Sequence, residues 1–234
     1  MEAELTNTGT SVFVGQTVDM EAQQYSSDID RAIVTITDDE GNKYDIPYAD
    51  NGYYKSDLIG VPGTTYTISI DVDGRHFTSS SVMQKSPQLN GIRFIWRKVL
   101  SERQVFGEVR LMDIPNQENY YYILVTKNGS AFRWIVFNDD ASPNRELRQT
   151  LSFAEQGNSP EVKEGDVLSY YIRSVDRSAY DYLYSLQRMA DTGTNPITNF
   201  SGGCLGYFTA YAQTGIAYVY REAYVEEEDD YEEN

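Results

Sequence analysis

Apolar and polar residues alternate through much of the first 85 residues, the period of strands that bury one face. The clearest case has four large apolar residues separated by single polar ones, at Tyr66, Ile68, Ile70 and Val72. Asp73-Gly74 predicts a turn, after which residues 75–82 return as the second strand of a hairpin. Because about seven short strands lie between turn signals, residues 1–86 are predicted to form an immunoglobulin-like or transthyretin-like β-sandwich.

A polar linker at residues 86–91 predicts a domain boundary, since it contains both Pro87 and Gly91. Residues 87–225 then continue the β pattern, with a hairpin whose turn is Lys127-Asn128-Gly129. The loop-rich stretch that follows this hairpin is predicted to hold a short helix near residues 145–151. We therefore expect a larger β-sandwich or barrel-like domain, mainly β, with one principal helix.

That principal helix is predicted near residues 177–190. Asp176 or Ser178 is suited to accept hydrogen bonds from the amide groups of the first turn. One face is largely apolar, because residues recur there at spacings of three and four, at Tyr180, Leu183, Tyr184, Gln187 and Ala190. Gly193 and Pro196 then end the helix.

The net negative charge of the chain argues against some classes of binding partner. The formal net charge of −17 argues against nucleic-acid binding, because affinity for a phosphate backbone comes from lysine and arginine. Part of the negative charge is local: residues 226–234 contain seven carboxylates and are predicted to be a disordered, solvated tail. No apolar run is long enough to cross a membrane, so any membrane attachment would need an N-terminal lipid that this chain does not carry.

Common catalytic sites find little support in the sequence. His76, the single histidine, lies on the return strand of a predicted hairpin, and the chain has no Gly-x-Ser-x-Gly motif, which argues against a hydrolytic triad. Since Cys204 is the single cysteine, an ordinary zinc site would need carboxylates for its remaining ligands. We predict no cofactor and no metal. A pair of carboxylates, as glycoside hydrolases use, stays open among 36 acidic residues. Asp113, Asp176 and Asp181 are placed near the ends of the predicted β domain, although the capping role accounts for Asp176.

Aromatic residues offer the best binding candidates. The chain has 20 tyrosines, and tyrosine suits half-buried sheet surfaces as well as ligand contacts. Five aromatic residues cluster in sequence around the predicted helix and the glycine-rich segment after it: Tyr180, Tyr184, Phe200, Tyr207 and Phe208. They either belong to the core or form an exposed patch that binds a ligand or partner.

Two segments also resemble a known family. Residues 175–211 follow the order V-D-x-x-x-Y-x-Y-L-x-S-L, then N-P, then T-N-x-S-G-G-x-L-G-Y-F-x-A-Y. A second patch begins at Gly52-Tyr53-Tyr54 and continues to Ile70. Both are similar to the domain-of-unknown-function family 4249, and their separation indicates that the resemblance covers most of the chain.

The resemblance implies a location more than an activity. It implies lipoproteins of the outer membrane in Bacteroidetes-type bacteria, periplasmic or surface-exposed, with no assigned reaction. Family members are expected to carry a lipoprotein signal and a lipidated cysteine, and since neither is present here, Met1 is expected to replace a removed leader.

Two hypotheses of function follow. The first is a non-catalytic binding or assembly component of the outer envelope, associated with an outer-membrane transporter or with a glycan or peptide ligand. The alternative is a carbohydrate-active enzyme, a glycoside hydrolase, that uses two carboxylates in the second domain.

Overall fold

The computed structural model describes residues 1–17, 26–140, 145–155, 161–189 and 193–228. The protein is mainly β, with several sheets and one α-helix among these residues, which confirms the predicted fold class. In chain order the elements are β1 (Glu2–Thr6), β2 (Thr10–Phe13), β3 (Gly15–Thr17), β4 (Ser26–Asp28), β5 (Ile33–Thr37), β6 (Lys43–Asp45), β7 (Tyr48–Asp50), β8 (Tyr53–Ser56), β9 (Thr65–Val72), β10 (Arg75–Val82), β11 (Gln88–Val99), β12 (Glu102–Met112), β13 (Tyr120–Lys127), β14 (Ser130–Asn138), β15 (Glu146–Ser152), β16 (Val167–Val175), α1 (Arg177–Gln187), β17 (Tyr207–Tyr211), β18 (Gln213–Val219) and β19 (Val225–Glu227).

The chain divides into two compact units, and the division differs from the predicted one. The first unit contains Met1–Ser86 and Ser174–Gln213, and the second contains Pro87–Arg173 and Thr214–Asn234. The boundary near residue 86 agrees with the linker at Ser86-Pro87. Helix α1 and β17, however, belong to the first unit, because β17 pairs with β1 rather than with a neighbouring strand of the second unit.

The first unit has two main sheets, a five-stranded one in the order β17-β1-β2-β8-β7 and a four-stranded one in the order β10-β9-β5-β6. Strands β1 and β17 are parallel, with Ala3 opposite Phe208 and Leu5 opposite Ala210. These four residues are fully buried and belong to the first unit's hydrophobic core. The predicted β9–β10 hairpin is present, with Val72 opposite Arg75 and a left-handed turn at Asp73 and Gly74.

The second unit also has two four-stranded sheets, ordered β15-β12-β11-β19 and β14-β13-β16-β18. The predicted hairpin of β13 and β14 turns at Asn128 and Gly129, whose φ angles of 52° and 83° fit the two-residue turn that matches strand twist. Residues 146–152 are the strand β15 and not the short helix that the sequence suggested. Leu147 and Leu151 both face the core there, and a spacing of four satisfies a helix and a strand equally.

The acidic residues at 226–228 are ordered, contrary to the predicted disordered tail. Val225–Glu227 forms β19, which pairs in parallel with Phe94–Trp96 of β11. The remainder of the predicted tail, residues 229–234, lies outside the described residues.

Candidate functional site

Helix α1 starts at the residue that the sequence predicted. Asp176 is the N-cap, and its Oδ1 accepts hydrogen bonds from the Ala179 amide at 2.9 Å and the Ser178 hydroxyl at 2.8 Å. Its Oδ2 accepts the Ser81 hydroxyl and, at 3.2 Å, the amide of Val82. One carboxylate therefore caps the helix and fastens its first turn to β10, which gives α1 a fixed position on the first unit.

The buried face of α1 is rotated from the predicted one. Ala179, Tyr182 and Leu183 are buried, whereas Tyr184 is 42% exposed and Gln187 is exposed. Ala190, the last residue of the predicted face, lies outside the described residues. The difference arises because Tyr182 packs inward, with its ring stacked on Tyr207 at a centroid distance of 4.8 Å.

Three of the five predicted aromatic site residues belong to the core and cannot present themselves to a partner. Phe200 is 5% exposed, Tyr207 8% and Phe208 0%. Tyr207 is covered by Tyr182, and its hydroxyl donates to Glu4 at 3.2 Å. The physical reason is the pairing of β1 and β17, which places this segment in the middle of the first unit's packing.

The glycine-rich segment before β17 serves the same packing. The Asn199 side chain donates to the Phe208 carbonyl at 2.8 Å and accepts from the Phe208 amide at 2.9 Å, so it imitates a neighbouring strand. At Gly202, where φ is +95°, a Cβ atom would lie 2.4 Å from the carbonyl oxygen of His76. The most distinctive sequence motif of the chain therefore has a structural role in closing the edge of β17.

The other two predicted site residues are nearer the surface: Tyr184 is exposed and Tyr180 is half-buried. Their rings stack at a centroid distance of 5.5 Å and an interplanar angle of 23°. The Arg188 guanidinium continues the row 5.7 Å from the Tyr184 centroid and donates to the Tyr184 hydroxyl at 3.3 Å. We call these three residues the tyrosine–arginine ladder. It presents aromatic rings and one cation on and just after a helix that the half-buried carboxylate of Asp176 holds in place.

An open groove of about 710 Å³ also lies on the first unit and was not predicted. Hydroxyl groups dominate its lining, and the charged residues are Glu4, Lys55 and Asp57. The lining contains Glu4, Thr6, Thr8, Gly9, Thr10, Ser11, Pro47, Lys55, Ser56 and Asp57. Lys55 extends over the exposed ring of Tyr53 at 5.2 Å. Such a surface suits a ligand that has many hydroxyl groups, and the run of threonine and serine at residues 6–11 was the available signal.

The residues of hydrolytic chemistry are not assembled. His76 Nδ1 lies 2.7 Å from Asp71 Oδ1, with both side chains more than half exposed. The Ser201 hydroxyl pairs instead with Thr78 Oγ1 at 2.6 Å. Cys204 packs against the first unit's core, and burial raises the pKa of its thiol, which disfavours the thiolate.

The buried carboxylates of the second unit include Asp113, which the sequence suggested, and Asp139, which it did not. The Asn119 Nδ2 atom lies 3.0 Å from Asp113 Oδ1 and 3.0 Å from Asp139 Oδ2. Both aspartates are nearly inaccessible, at 5% and 4% exposed, and the amide of Asn119 fills the space between them. Burial, followed by the charges of these two aspartates, raises the pKa of Tyr121, whose hydroxyl is 3.4 Å from Asp113.

The other suggested acids have separate roles. Asp176 caps α1, and the carboxylate of Asp181 lies 4.0 Å from Arg177 on the exposed side of the helix. Within the described ranges, no group of three or more histidine, cysteine, aspartate or glutamate side chains is placed to hold a metal ion. Among the helices described, none has both the length and the apolar character needed to span a bilayer.

Comparison with family models gives a match over most of the chain. The model of the family described as Domain of unknown function (DUF4249) matches residues 1–216. A search of curated proteins found no match. The matched range covers all of the first unit and continues through most of the second.

Proposed function

The chain belongs to the DUF4249 family, and from this membership we propose that it is a non-catalytic binding or assembly component of the bacterial outer envelope. In this proposal it is a lipoprotein of a Bacteroidetes-type bacterium, attached to the outer membrane through an N-terminal lipid and associated with an outer-membrane transporter. In this proposal each unit is a rigid β scaffold that carries a binding surface.

The observation that carries the proposal is the tyrosine–arginine ladder. Tyrosine and arginine are enriched at the centres of protein interfaces because they combine flat apolar area with hydrogen bonding. Tyr184 is 42% exposed on a helix whose opposite face is buried, so its ring is available without unfolding any element. A rigid anchor of this kind loses little conformational entropy on binding.

The hydroxyl-lined groove supports a second ligand class, a glycan. Its serine and threonine hydroxyls donate and accept hydrogen bonds, and its carboxylates and one lysine add charged partners for sugar hydroxyls. We place this ligand second, because the groove is open and none of the described residues that line it is aromatic.

Site-specific cross-linking tests the main proposal. A photo-activatable phenylalanine replaces Tyr184 in one variant and, in a matched control, Val167, which lies in the second unit and is 41% exposed. Both are expressed in the lipidated form in a host that carries the transporter. We expect the variant at 184, and not the control, to cross-link to the transporter. Equal labelling from both positions, or none from 184, would contradict the proposal.

A carbohydrate-active enzyme is the second candidate, and the Asp113–Asp139 pair favours it. Because each carboxylate oxygen is 3.0 Å from the same nitrogen atom, the two oxygens are at most 6.0 Å apart, which includes the separation of retaining glycosidases. The burial of both aspartates, which are 5% and 4% exposed, and the Asn119 amide between them oppose this function. Release of reducing sugar from a polysaccharide panel, abolished by Asp139→Asn, would favour the enzyme.

A further inference from the structure

The edge of β11 in the second unit pairs with an acidic strand that buries few apolar side chains. Strand β19 is parallel to β11 and covers Phe94–Trp96, three residues of a strand that runs over Gln88–Val99. Little apolar burial supports this contact: Val225 is half-buried, and the side chains of Glu226 and Glu227 are 60% and 76% exposed. Backbone pairing and charge must therefore supply most of the attachment.

Three arginines meet the three consecutive glutamates of this segment. Arg93 Nη1 is 3.1 Å from Glu226 Oε2, and Arg97 Nε is 2.8 and 2.9 Å from the two carboxylate oxygens of Glu228. Arg103 pairs with Glu227. Arg93 and Arg97 share a face of β11, since they are four residues apart. Arg103 belongs to β12 and is paired with Lys98, so its side chain lies on the opposite face of the sheet. An extended chain with a carboxylate at every position is thus bound from both sides.

The arginines are held by contacts that do not involve the acidic segment. Arg93 donates at 2.8 Å to Glu108, which is 2% exposed. Arg97 lies 4.8 Å from the centroid of Phe106 and donates to Thr150 at 3.1 Å. Arg103 lies 4.9 Å from the centroid of Trp96. The three cations would therefore keep their positions if the acidic segment left, which is the property of a preformed binding site.

Charge complementarity defines the kind of partner. The whole chain carries 36 acidic residues against 19 lysines and arginines, so most of its surface repels an acidic peptide. This row of arginines is an exception, and it lies beside a strand edge, where an added strand gains main-chain hydrogen bonds. The Arg103–Glu227 pair is exposed and contributes little, whereas Arg93 and Arg97 are partly buried. Since all three pairs weaken with salt, a competing acidic strand can replace the present occupant.

We propose that the β11 edge, with Arg93, Arg97 and Arg103, is a strand-addition site for an extended acidic segment of a partner protein. The segment Val225–Glu228 is its internal occupant, which such a partner displaces. The bound ligand in this structure is therefore a portion of the chain itself. This site is separate from the tyrosine–arginine ladder, and its failure would leave the proposed function untouched.

Peptide binding tests the proposal on the full chain. The probe is a fluorescent peptide with the sequence of residues 224–230, Tyr-Val-Glu-Glu-Glu-Asp-Asp. The test variant is Glu226→Gln, Glu227→Gln, Glu228→Gln, and the control, with the same change in net charge at other exposed sites, is Glu40→Gln, Glu102→Gln, Glu155→Gln. We expect the test variant to bind the probe at least tenfold more tightly than the control at low salt. Adding Arg97→Gln to the test variant should weaken binding at least tenfold.

Hydrogen exchange completes the test. The β11 amides that face β19, those of Phe94 and Trp96, should lose protection in the test variant and regain it with the probe. A glutamine version of the probe should bind neither protein. Retained protection in the test variant, equal binding by test and control variants, or indifference to Arg97→Gln would each overturn the proposal.

Discussion

Replacement of Asn199 by alanine is the sharpest test of the role assigned to the glycine-rich segment. The Asn199 side chain bonds both backbone groups of Phe208, at 2.8 and 2.9 Å, and accepts from the Ser79 hydroxyl at 3.1 Å. Phe208 is fully buried, so Asn199→Ala leaves one buried donor and one buried acceptor without their partner. Each such group costs about 1–3 kcal/mol. Because Asn199 itself is half-buried and water can reach part of the gap, we expect a total loss of about 2–4 kcal/mol.

Asn199→Asp separates the hydrogen-bond argument from simple loss of volume. Aspartate keeps an acceptor for the Phe208 amide but places a carboxylate oxygen against the Phe208 carbonyl. We therefore expect Asn199→Asp to destabilise the protein at neutral pH at least as much as Asn199→Ala, although it fills the same space. Asn195→Ala is the matched control, since Asn195 is exposed, and it should change the free energy of unfolding by less than about 0.5 kcal/mol.

Urea unfolding, followed by tyrosine fluorescence and by hydrogen exchange of the β17 amides, gives the measurement. The exchange data are needed because two units need not unfold in one step. Loss of protection should concentrate in β17 and its neighbour β1. The reasoning is refuted if Asn199→Ala costs no more than Asn195→Ala, or if Asn199→Asp is as stable as the natural chain.

Two further predictions concern the first unit. Gly202→Ala should lower the free energy of unfolding by about 2–4 kcal/mol, because the new Cβ would lie 2.4 Å from the His76 carbonyl oxygen at a φ of +95°. Gly203→Ala is the control and should cost about 1 kcal/mol, since no atom lies within 4 Å of its Cβ. Equal losses in thermal melts of the two variants would contradict this prediction. The hydrogen bonds from Arg31 hold the pKa of Asp73 below its usual value. The pair therefore stabilises the folded state above the pKa that the carboxyl has in the unfolded chain, and this contribution disappears as pH falls through the lower, folded pKa. An NMR titration of the Asp73 carboxyl should show its pKa rising in Arg31→Gln, and an unchanged value would argue against the pairing in solution.

Features that depend on neighbouring residues were predictable from the sequence. Asp176 caps α1, Asp73-Gly74 turns the β9–β10 hairpin, and Asn128-Gly129 turns the next one, as local chemistry requires. The strand at residues 146–152 was predicted wrongly because Leu147 and Leu151 fit either period, and only the pairing of β15 with β12 decides between them.

Features that depend on distant residues were not predictable. The partner of β17 is β1, about two hundred residues earlier in the chain, so nothing near Phe200, Tyr207 and Phe208 indicates that they are covered. The charge run at 226–228 resembles a solvated tail until the arginines of β11 and β12 are placed beside it. The tyrosine–arginine ladder could be predicted only in part, since the exposure of Tyr184 depends on which helix face Tyr182 occupies.

The parallel pairing of β1 with β17 has a consequence for biosynthesis. Ribosomes deliver residues in order, yet the edge of the five-stranded sheet stays incomplete until residue 211 has emerged. The second unit, whose first part is Pro87–Arg173, likewise lacks strands β18 and β19 of its two sheets until the residues after Thr214 have been made. Neither unit can complete its sheets before the last fifth of the polypeptide has been translated. A nascent chain stalled at residue 86 should therefore be incompletely folded and sensitive to protease.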